Sequence, residues 1–509
     1  MSTWYPIFAA LLGLFLWLGV IYVRSNRVPL PPGPPRKFIV GNLFDIPKGP
    51  TWPVLAQWKE KYGDIVYIES LGSPIVILNT LEAVNALFDK RGTNYSHRPI
   101  FTMAGELMGL DRSMVVINYG KTWREHRKLT YIALNPEAVK QYYRAQERIA
   151  LLLLNGLLDA PQDFDSLLRL LVFVALHMTV IFALTKSCST AGRTILAVTY
   201  GLDIMSADDD YIVDAEAALV IASKFLLPGA HIVDLFPFLK HIPKWAPFAR
   251  FHREADAARQ LMDRMVDRPY NHVKMELAQG HAPPSFVHHI LADPNSKYDV
   301  NSADFQTLLT WTAGTMYGAG SETTYAAINT FILAMTLFPN KQAIAQGELD
   351  RVVGTSRLPT MEDRSSLPYI EALIKETLRW HVILPQSIPR RTDKDDVYKG
   401  YFIPAGTLVI PNLWFIAFDS TDHPEDFTPE RYLTPGEPPQ DPRSYCFGFG
   451  RRICPGKQLA DNSLFITIAS ILSVFAISKE IDELGNEIPV HPSFGGGLVR
   501  CIYIICHPC

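Results

Sequence analysis

Residues 447–456, FGFGRRICPG, constrain this 509-residue chain more than any other stretch. They set one cysteine, Cys454, after a glycine-rich turn and just before Pro455, a residue suited to the first position of a helix. A helix N-terminus and the cations Arg451, Arg452 and Lys457 favour an ionised sulfur there, the form that binds metal. Gly450 allows a sharp turn, and Gly456 leaves room for a flat, bulky partner close to the backbone. The pattern F-x-x-G-x-R-x-C-x-G should arise by chance in roughly one chain of this length in ten thousand. A buried structural cysteine after a loop is the competing reading.

Three further constellations carry chemistry. Residues 310–338 read as one long helix containing AGSETT. Gly318 and Gly320 each cost about 1 kcal/mol there relative to alanine, so they need a reason, and close approach to a cofactor supplies one. Glu322 and Thr323 add an acid and a hydroxyl able to bend the helix or relay a proton. In KTWREHRK, Trp123 and Arg127 share a helix face at i and i+4; an ordinary surface cation-π pair is the alternative. In KETLRW, Glu376 and Arg379 can pair at i and i+3. Glu348 and Arg351 have the same spacing and read as an ordinary exposed pair.

In this order and number, the motifs resemble those of the heme-thiolate monooxygenases, the cytochrome P-450 superfamily, and the resemblance runs from Pro31 to about Val499. It implies a mainly α fold with small β-sheets, heme b as cofactor, and Cys454 as axial ligand to the iron. Phe447 then shields the sulfur, Arg452 pairs with a heme propionate, and Trp123, Arg127 and Arg390 anchor the same edge. Thiolate ligation favours cleavage of the oxygen–oxygen bond. The AGSETT segment implies that Thr323 and Glu322 handle protons on the oxygen side of the iron. PERY at residues 429–432 implies that Arg431 joins Glu376 and Arg379 in a buried charge network serving folding and heme retention.

Segments such as LPPGPP, NYSHRP, ELMG and FTPERYL resemble fungal membrane-bound members that tailor secondary metabolites. The function implied is insertion of one oxygen atom from O2 into a small lipophilic substrate, a terpenoid or polyketide. No flavin or nicotinamide fingerprint is present, so electrons come from NADPH through the flavins of a reductase, with cytochrome b5 a second candidate partner. Arg124, Lys128, Arg451 and Lys457 are candidates for the docking surface. A non-catalytic heme-binding protein or decayed relative, and a rearrangement catalyst, are the competing functions. Intact Glu322, Thr323 and Cys454 count against them.

Residues 4–23 are uncharged and long enough to span a bilayer, with Arg24, Arg27, Arg36 and Lys37 following and no basic residue before. This pattern favours an uncleaved single-pass anchor, residues 1–25, over a signal peptide, and places the remainder in the cytosol. An endoplasmic reticulum membrane is the implied location. Residues 26–50, with PLPPGPP, form a stiff linker, and 51–509 one catalytic domain. A net charge of -3 and pI near 6.5 argue against nucleic acid. Six scattered cysteines suit a reducing compartment.

The remaining segments yield coarser expectations. Residues 65–68 and 75–78 form a hairpin, 81–90 a helix, and 95–118 a loop that closes over the pocket. Residues 221–243 form a lipophilic mouth and 245–275 a solvated outer helix. Ile388, in an extended turn over 385–390, reaches the pocket, and 493–499 form a hairpin tip facing the substrate. The apolar run LLRLLVFVALHMTVIFAL, residues 167–184, is a poor second membrane span because it would split the domain. A buried helix is one alternative; the preferred one is that residues 172–190 are an insertion absent from the functional protein, such as a translated intron. The terminal CIYIICHPC also departs from the resembled pattern.

Overall fold

The computed structural model describes residues 28–47, 51–159, 189–204, 209–227, 231–419, 423–434, 438–479 and, with breaks at 483, 495–497 and 501, 481–505, together with Gly13, Gly229 and Gly436. The expected anchor and nearly all of 172–190 lie outside these residues. Among the described residues no helix is long and apolar enough to cross a membrane.

A hairpin opens the fold after α1 (Trp52–Tyr62): β1 (Ile65–Ser70) pairs antiparallel with β2 (Ser73–Leu78). Leu71 and Gly72, at φ 47° and 79°, make the two-residue turn, whose left-handed backbone matches the twist of the strands. A helical stretch follows from Leu81 through Lys90, as expected. The 95–118 segment is less irregular than expected, with short helical turns at Thr102–Leu107 and Leu110–Arg112.

The helical body comprises α2 (Lys121–Leu134), α3 (Tyr143–Asp159), α4 (Ser189–Tyr200), α5 (Asp210–Phe225), α6 (Arg250–Ala278), α7 (Ala303–Leu337), α8 (Pro339–Val352) and α9 (Pro368–Trp380). The 35-residue α7 runs through its centre, packing on α2, α4, α6 and α9. Ser302 caps it by accepting the Phe305 N–H at 3.2 Å. Pro339, which cannot continue a helix, stops it and begins α8. Helix α6 is not the solvated outer helix expected from its polar composition. It buries Phe251, Met262, Val266, Tyr270 and Val273 in the core, because its apolar residues fall on one face.

Beyond α9 the chain returns to the sheet. Strands β3 (Arg390–Arg391) and β6 (Leu408–Pro411) complete a four-stranded sheet of order β1-β2-β6-β3, with β2 and β6 parallel. Strands β4 (Asp396–Tyr398) and β5 (Tyr401–Ile403) make a small hairpin between them. Helix α10 (Lys457–Val474) passes back under α7, and β7 (His491–Phe494) pairs with β8 (Ile502–Ile505). The terminal stretch that departs from the resembled pattern thus supplies one strand. This is a mainly helical architecture with small sheets, as the sequence implies.

Two carboxylates hold α9. Arg379, fully buried, donates through Nε and Nη2 to both oxygens of Glu376 at 2.8 and 2.9 Å. Arg431 Nε adds a 3.2 Å bond and Thr428 N–H a 2.8 Å bond to Oε1. One carboxylate faces two guanidiniums, and the carbonyls of His423, Pro424, Asp426 and Thr428 take up the remaining donors. Glu348 corrects the sequence reading. It is buried rather than exposed, and its carboxylate accepts the N–H groups of Tyr369 and Ile370 at 2.9–3.0 Å. It therefore caps the N-terminus of α9, where orphan donors and the helix dipole favour an anion. Arg351 is exposed and makes no ion pair among the described residues. Glu348→Ala should lower unfolding free energy by about 1–2 kcal/mol, whereas Arg351→Ala should change it by less than about 0.5 kcal/mol, both read from denaturant unfolding.

Candidate functional site

A cavity of about 260 Å³ lies between α7, α10, α2 and the loop preceding α10. Cys454, Phe447, Gly456 and Arg452 line it from the loop, Trp123 and Arg127 from α2, Arg390 from β3 and Thr323 from α7. Gly450 and Glu322 do not line it, nor do Glu376, Arg379 and Arg431, which belong to the charge network under α9.

The loop is fixed by its backbone. Cys454 N–H donates to the Phe447 carbonyl at 2.7 Å, closing a turn through Gly448 (φ 77°) and Gly450 (φ 51°). A Cβ on Gly450 would stand 2.3 Å from the Phe88 carbonyl oxygen, so only glycine fits. At Gly456 a Cβ would meet nothing nearer than Cys454 Sγ at 3.9 Å, and it would project into open space. The helix starts at Lys457, two residues later than Pro455 suggests, with Gly456 as its cap.

The electrostatics at the sulfur differ from the sequence reading. The protein packed around the cavity pushes the Cys454 thiol up even though the side chain is open to that cavity, and the N–H groups of Gly456 and Lys457 with the charges of Arg127 and Lys457 only partly oppose it. Arg451 is turned away, bonding to the hydroxyls of Tyr119 and Thr93. Arg452 spends its guanidinium on three carbonyls, of Ser96, Met114 and Ile117, at 2.9, 3.0 and 2.6 Å. Arg127, on α2, acts on the sulfur together with Lys457.

Four arginines converge on the cavity wall. Arg98 was not singled out from the sequence. It is buried, lines the cavity and donates to the carbonyls of Val115, Ile388 and Pro389. With Arg127, Arg390 and Arg452 it makes a group in which no member forms an ion pair among the described residues. Arg390 gives one bond to the Phe449 carbonyl at 2.7 Å, stacks over Phe88 and leaves its buried Nη1 without a partner. Burial first, and then repulsion from Arg98, Arg390 and Arg127, pushes Arg452 down to about 8. Burial pushes Arg98 down to about 10. Trp123 stacks under Arg452 at 4.9 Å, and a 2.7 Å bond between His126 and Thr312 fastens its helix to α7. Uncompensated cations, an orphan donor, an accessible thiol and an unhindered Gly456 suit a flat group that carries carboxylates and a thiophilic metal.

On the opposite wall, the Thr323 hydroxyl donates to the Ala319 carbonyl at 2.8 Å. Glu322 is half-buried beside the cavity, and burial pushes its carboxyl up to about 7. The helix glycines have a different cause from the one expected. A Cβ on Gly318 would meet Leu219 at 3.1 Å, and one on Gly320 would meet Ile195 at 3.2 Å. They admit α5 and α4 to close packing, although Gly320 also borders the cavity. The rest of the wall is mostly apolar, with Ile195, Met316, Ile383, Leu384 and the expected Ile388. Val499 packs against Ala326 outside the cavity lining, and the tip of the expected hairpin, 495–497, lies outside the described residues.

Comparison with known proteins agrees with this geometry. The Cytochrome P450 family profile matches residues 31–489. Cytochrome P450 monooxygenase COX2 of Coprinopsis cinerea is 37% identical over 474 residues, covering 92% of this chain and 86% of that protein. Cytochrome P450 monooxygenase claR of Ampulloclitocybe clavipes is 40% identical over 491 residues, 95% of this chain and 86% of its own. Cytochrome P450 monooxygenase 208 of Postia placenta is 38% identical over 466 residues, 90% and 86%. With the profile spanning most of the chain and such similarity over nearly all of it, the chain belongs to the cytochrome P450 family, a monooxygenase with heme iron as its cofactor.

Proposed function

We propose that Cys454 would hold the iron of this heme monooxygenase through its sulfur and that the enzyme oxidises a small lipophilic molecule, a terpenoid or polyketide, in fungal secondary metabolism. The observation that carries this reading is a single cavity walled by a cysteine sulfur, four arginines lacking carboxylate partners, and apolar side chains. Arg98, Arg127, Arg390 and Arg452, with the Trp123 indole, would hold the two propionates, and Phe447 lines the cavity beside Cys454. When bound, the heme supplies an iron at which O2 is activated and one oxygen atom is delivered to the substrate.

The chain's own residues orient and protonate. Apolar side chains exclude water and leave a lipophilic substrate few polar partners. The Thr323 hydroxyl, bonded to Ala319, keeps lone pairs free to accept a proton donor from the cavity side. Glu322, an acid near neutrality one residue away, holds the proton that Thr323 passes inward. Electrons come from NADPH through a reductase, with cytochrome b5 a second candidate donor. Of the proposed docking cations, Lys128 is paired with Glu125 at 2.7 Å and both Arg451 and Arg124 engage Tyr119, which leaves Lys457, over the Phe447 ring, as the freer charge. Residues 1–25 anchor the enzyme in the endoplasmic reticulum membrane with its catalytic part in the cytosol.

Co-expression with an NADPH-dependent reductase should give a thiolate-type carbon monoxide spectrum and oxygen-dependent turnover of members of a fungal terpene and polyketide panel. Cys454→Ser should lose that spectrum, and a wild-type chain that binds heme without it would overturn the assignment. Arg98→Gln should lower heme content per chain several-fold, measured by pyridine hemochrome against protein mass. For Glu322 the folded state holds its proton more tightly than the unfolded chain. Its contribution to stability is therefore complete below the ordinary glutamate range and is lost as pH rises to about 7. Glu322→Gln should remove that decline from the melting profile.

A further inference from the structure

Two arginines and two carboxylates form a closed ring beneath the Cys454 loop. Arg364 donates to Glu371 at 2.6 Å and to Asp461 at 2.6 Å. Arg443 donates to the other oxygen of each, to Asp461 at 2.6 Å and to Glu371 at 2.8 Å. Signs alternate round the ring and every carboxylate oxygen is bonded to a guanidinium. Asn462 takes a further bond from Arg364, at 2.8 Å. The four side chains are only 10–24% exposed. Burial raises the Glu371 carboxyl, but Arg443 and Arg364 outweigh it and hold the group below its usual range.

The placement of these residues along the chain gives the ring its meaning. Arg443 lies eleven residues before Cys454 and Asp461 seven residues after it. The Arg443–Asp461 pair therefore closes the base of the loop that carries the sulfur, while Glu371 of α9 and Arg364 bolt that base to the body. Backbone bonds from Gly448 to Tyr445, Arg452 to Phe449, Ile453 to Gly450 and Cys454 to Phe447 shape the loop, and its other polar groups reach the 93–119 segment, β3 and, through Cys446 Sγ at 3.5 Å, the Leu378 carbonyl of α9. A guanidinium fork on a carboxylate fixes direction as well as distance.

We propose that the Arg364–Glu371–Arg443–Asp461 ring is a positioning device that sets where Cys454 Sγ stands in the cavity, with Arg443 and Asp461 as its operative pair. It rests on Cys454 being the iron ligand. Loosening the pair would let the loop rise or twist, so that Cys454 would hold the metal less securely.

The test compares Arg443→Gln with Arg364→Gln in full-length, heme-loaded protein. Both variants break the ring, but only the first opens the base of the loop. Conversion of the carbon monoxide complex from the thiolate type to the thiol type is followed at a fixed temperature, with total heme and melting temperature measured on the same samples. Arg443→Gln should convert about tenfold faster than wild type, and Arg364→Gln distinctly less at a comparable loss of melting temperature. Arg443→Lys and Arg364→Lys, which keep charge but lose the fork, should show the same order and serve if a glutamine variant does not fold. Equal conversion rates in the two positions, or unchanged rates with lowered melting, would overturn the proposal. A wild-type protein with no thiolate-type spectrum would instead refute the ligand assignment on which it rests.

Discussion

Buried positive charge is the constraint on which the site depends. Arg98, Arg127, Arg390 and Arg452 surround one cavity, and among the described residues none forms an ion pair. Carbonyl dipoles soften this for Arg98 and Arg452, while Arg390 keeps an idle donor. A guanidinium removed from water without a counter-charge is expensive; Arg98 and Arg390 are buried, Arg127 and Arg452 half-buried, and Arg452 is repelled by the other three. The fold therefore stores a demand for anions at one edge of the cavity. A cofactor bearing carboxylates relieves it, which couples binding to stability: whatever binds only the folded chain stabilises it.

Elsewhere the chain treats charge differently. Glu376 with Arg379 and Arg431, and the Arg364–Glu371–Arg443–Asp461 ring, are compensated by carboxylates and carbonyls within a few ångströms. Both sets join α9 to segments that follow it, and the second also ties it to Arg364 just before it. The contrast is physical rather than decorative: complete networks make rigid joints, whereas the incomplete cluster marks where something else is to be bound. The apolar wall facing α7 completes the division, since it leaves polar recognition to the cofactor edge and shape recognition to the substrate side.

Much of this was legible in the sequence wherever the information is local. The turn to Cys454, the i and i+4 placement of Trp123 and Arg127, the hairpin of β1 and β2 and the long α7 all follow from short-range spacing. What escaped depends on partners far along the chain. Arg98 matters because it reaches the carbonyls of Ile388 and Pro389, about 290 residues away. Glu348 resembles an exposed pair with Arg351 until α9 brings Tyr369 and Ile370 over its carboxylate. Gly318 and Gly320 signal a close approach, but periodicity alone does not say that the visitors are Leu219 and Ile195. The charges of Arg451 and Arg452 look directed at the sulfur only while their own contacts are unknown.

The central sheet joins the two ends of this architecture. Strand β2 at residues 73–78 pairs in parallel with β6 at 408–411, and Asn412 N–H bonds to Leu78 at 2.8 Å. Such pairing of distant segments closes a very long loop before it gains any bond. During synthesis, the hairpin of β1 and β2 must wait with one edge unpaired while more than 300 residues emerge. An unpaired edge on a nascent chain invites association with other strands. Because Cys454 follows β6 in the chain, the cofactor pocket cannot be completed until both partners of that pairing have been synthesised.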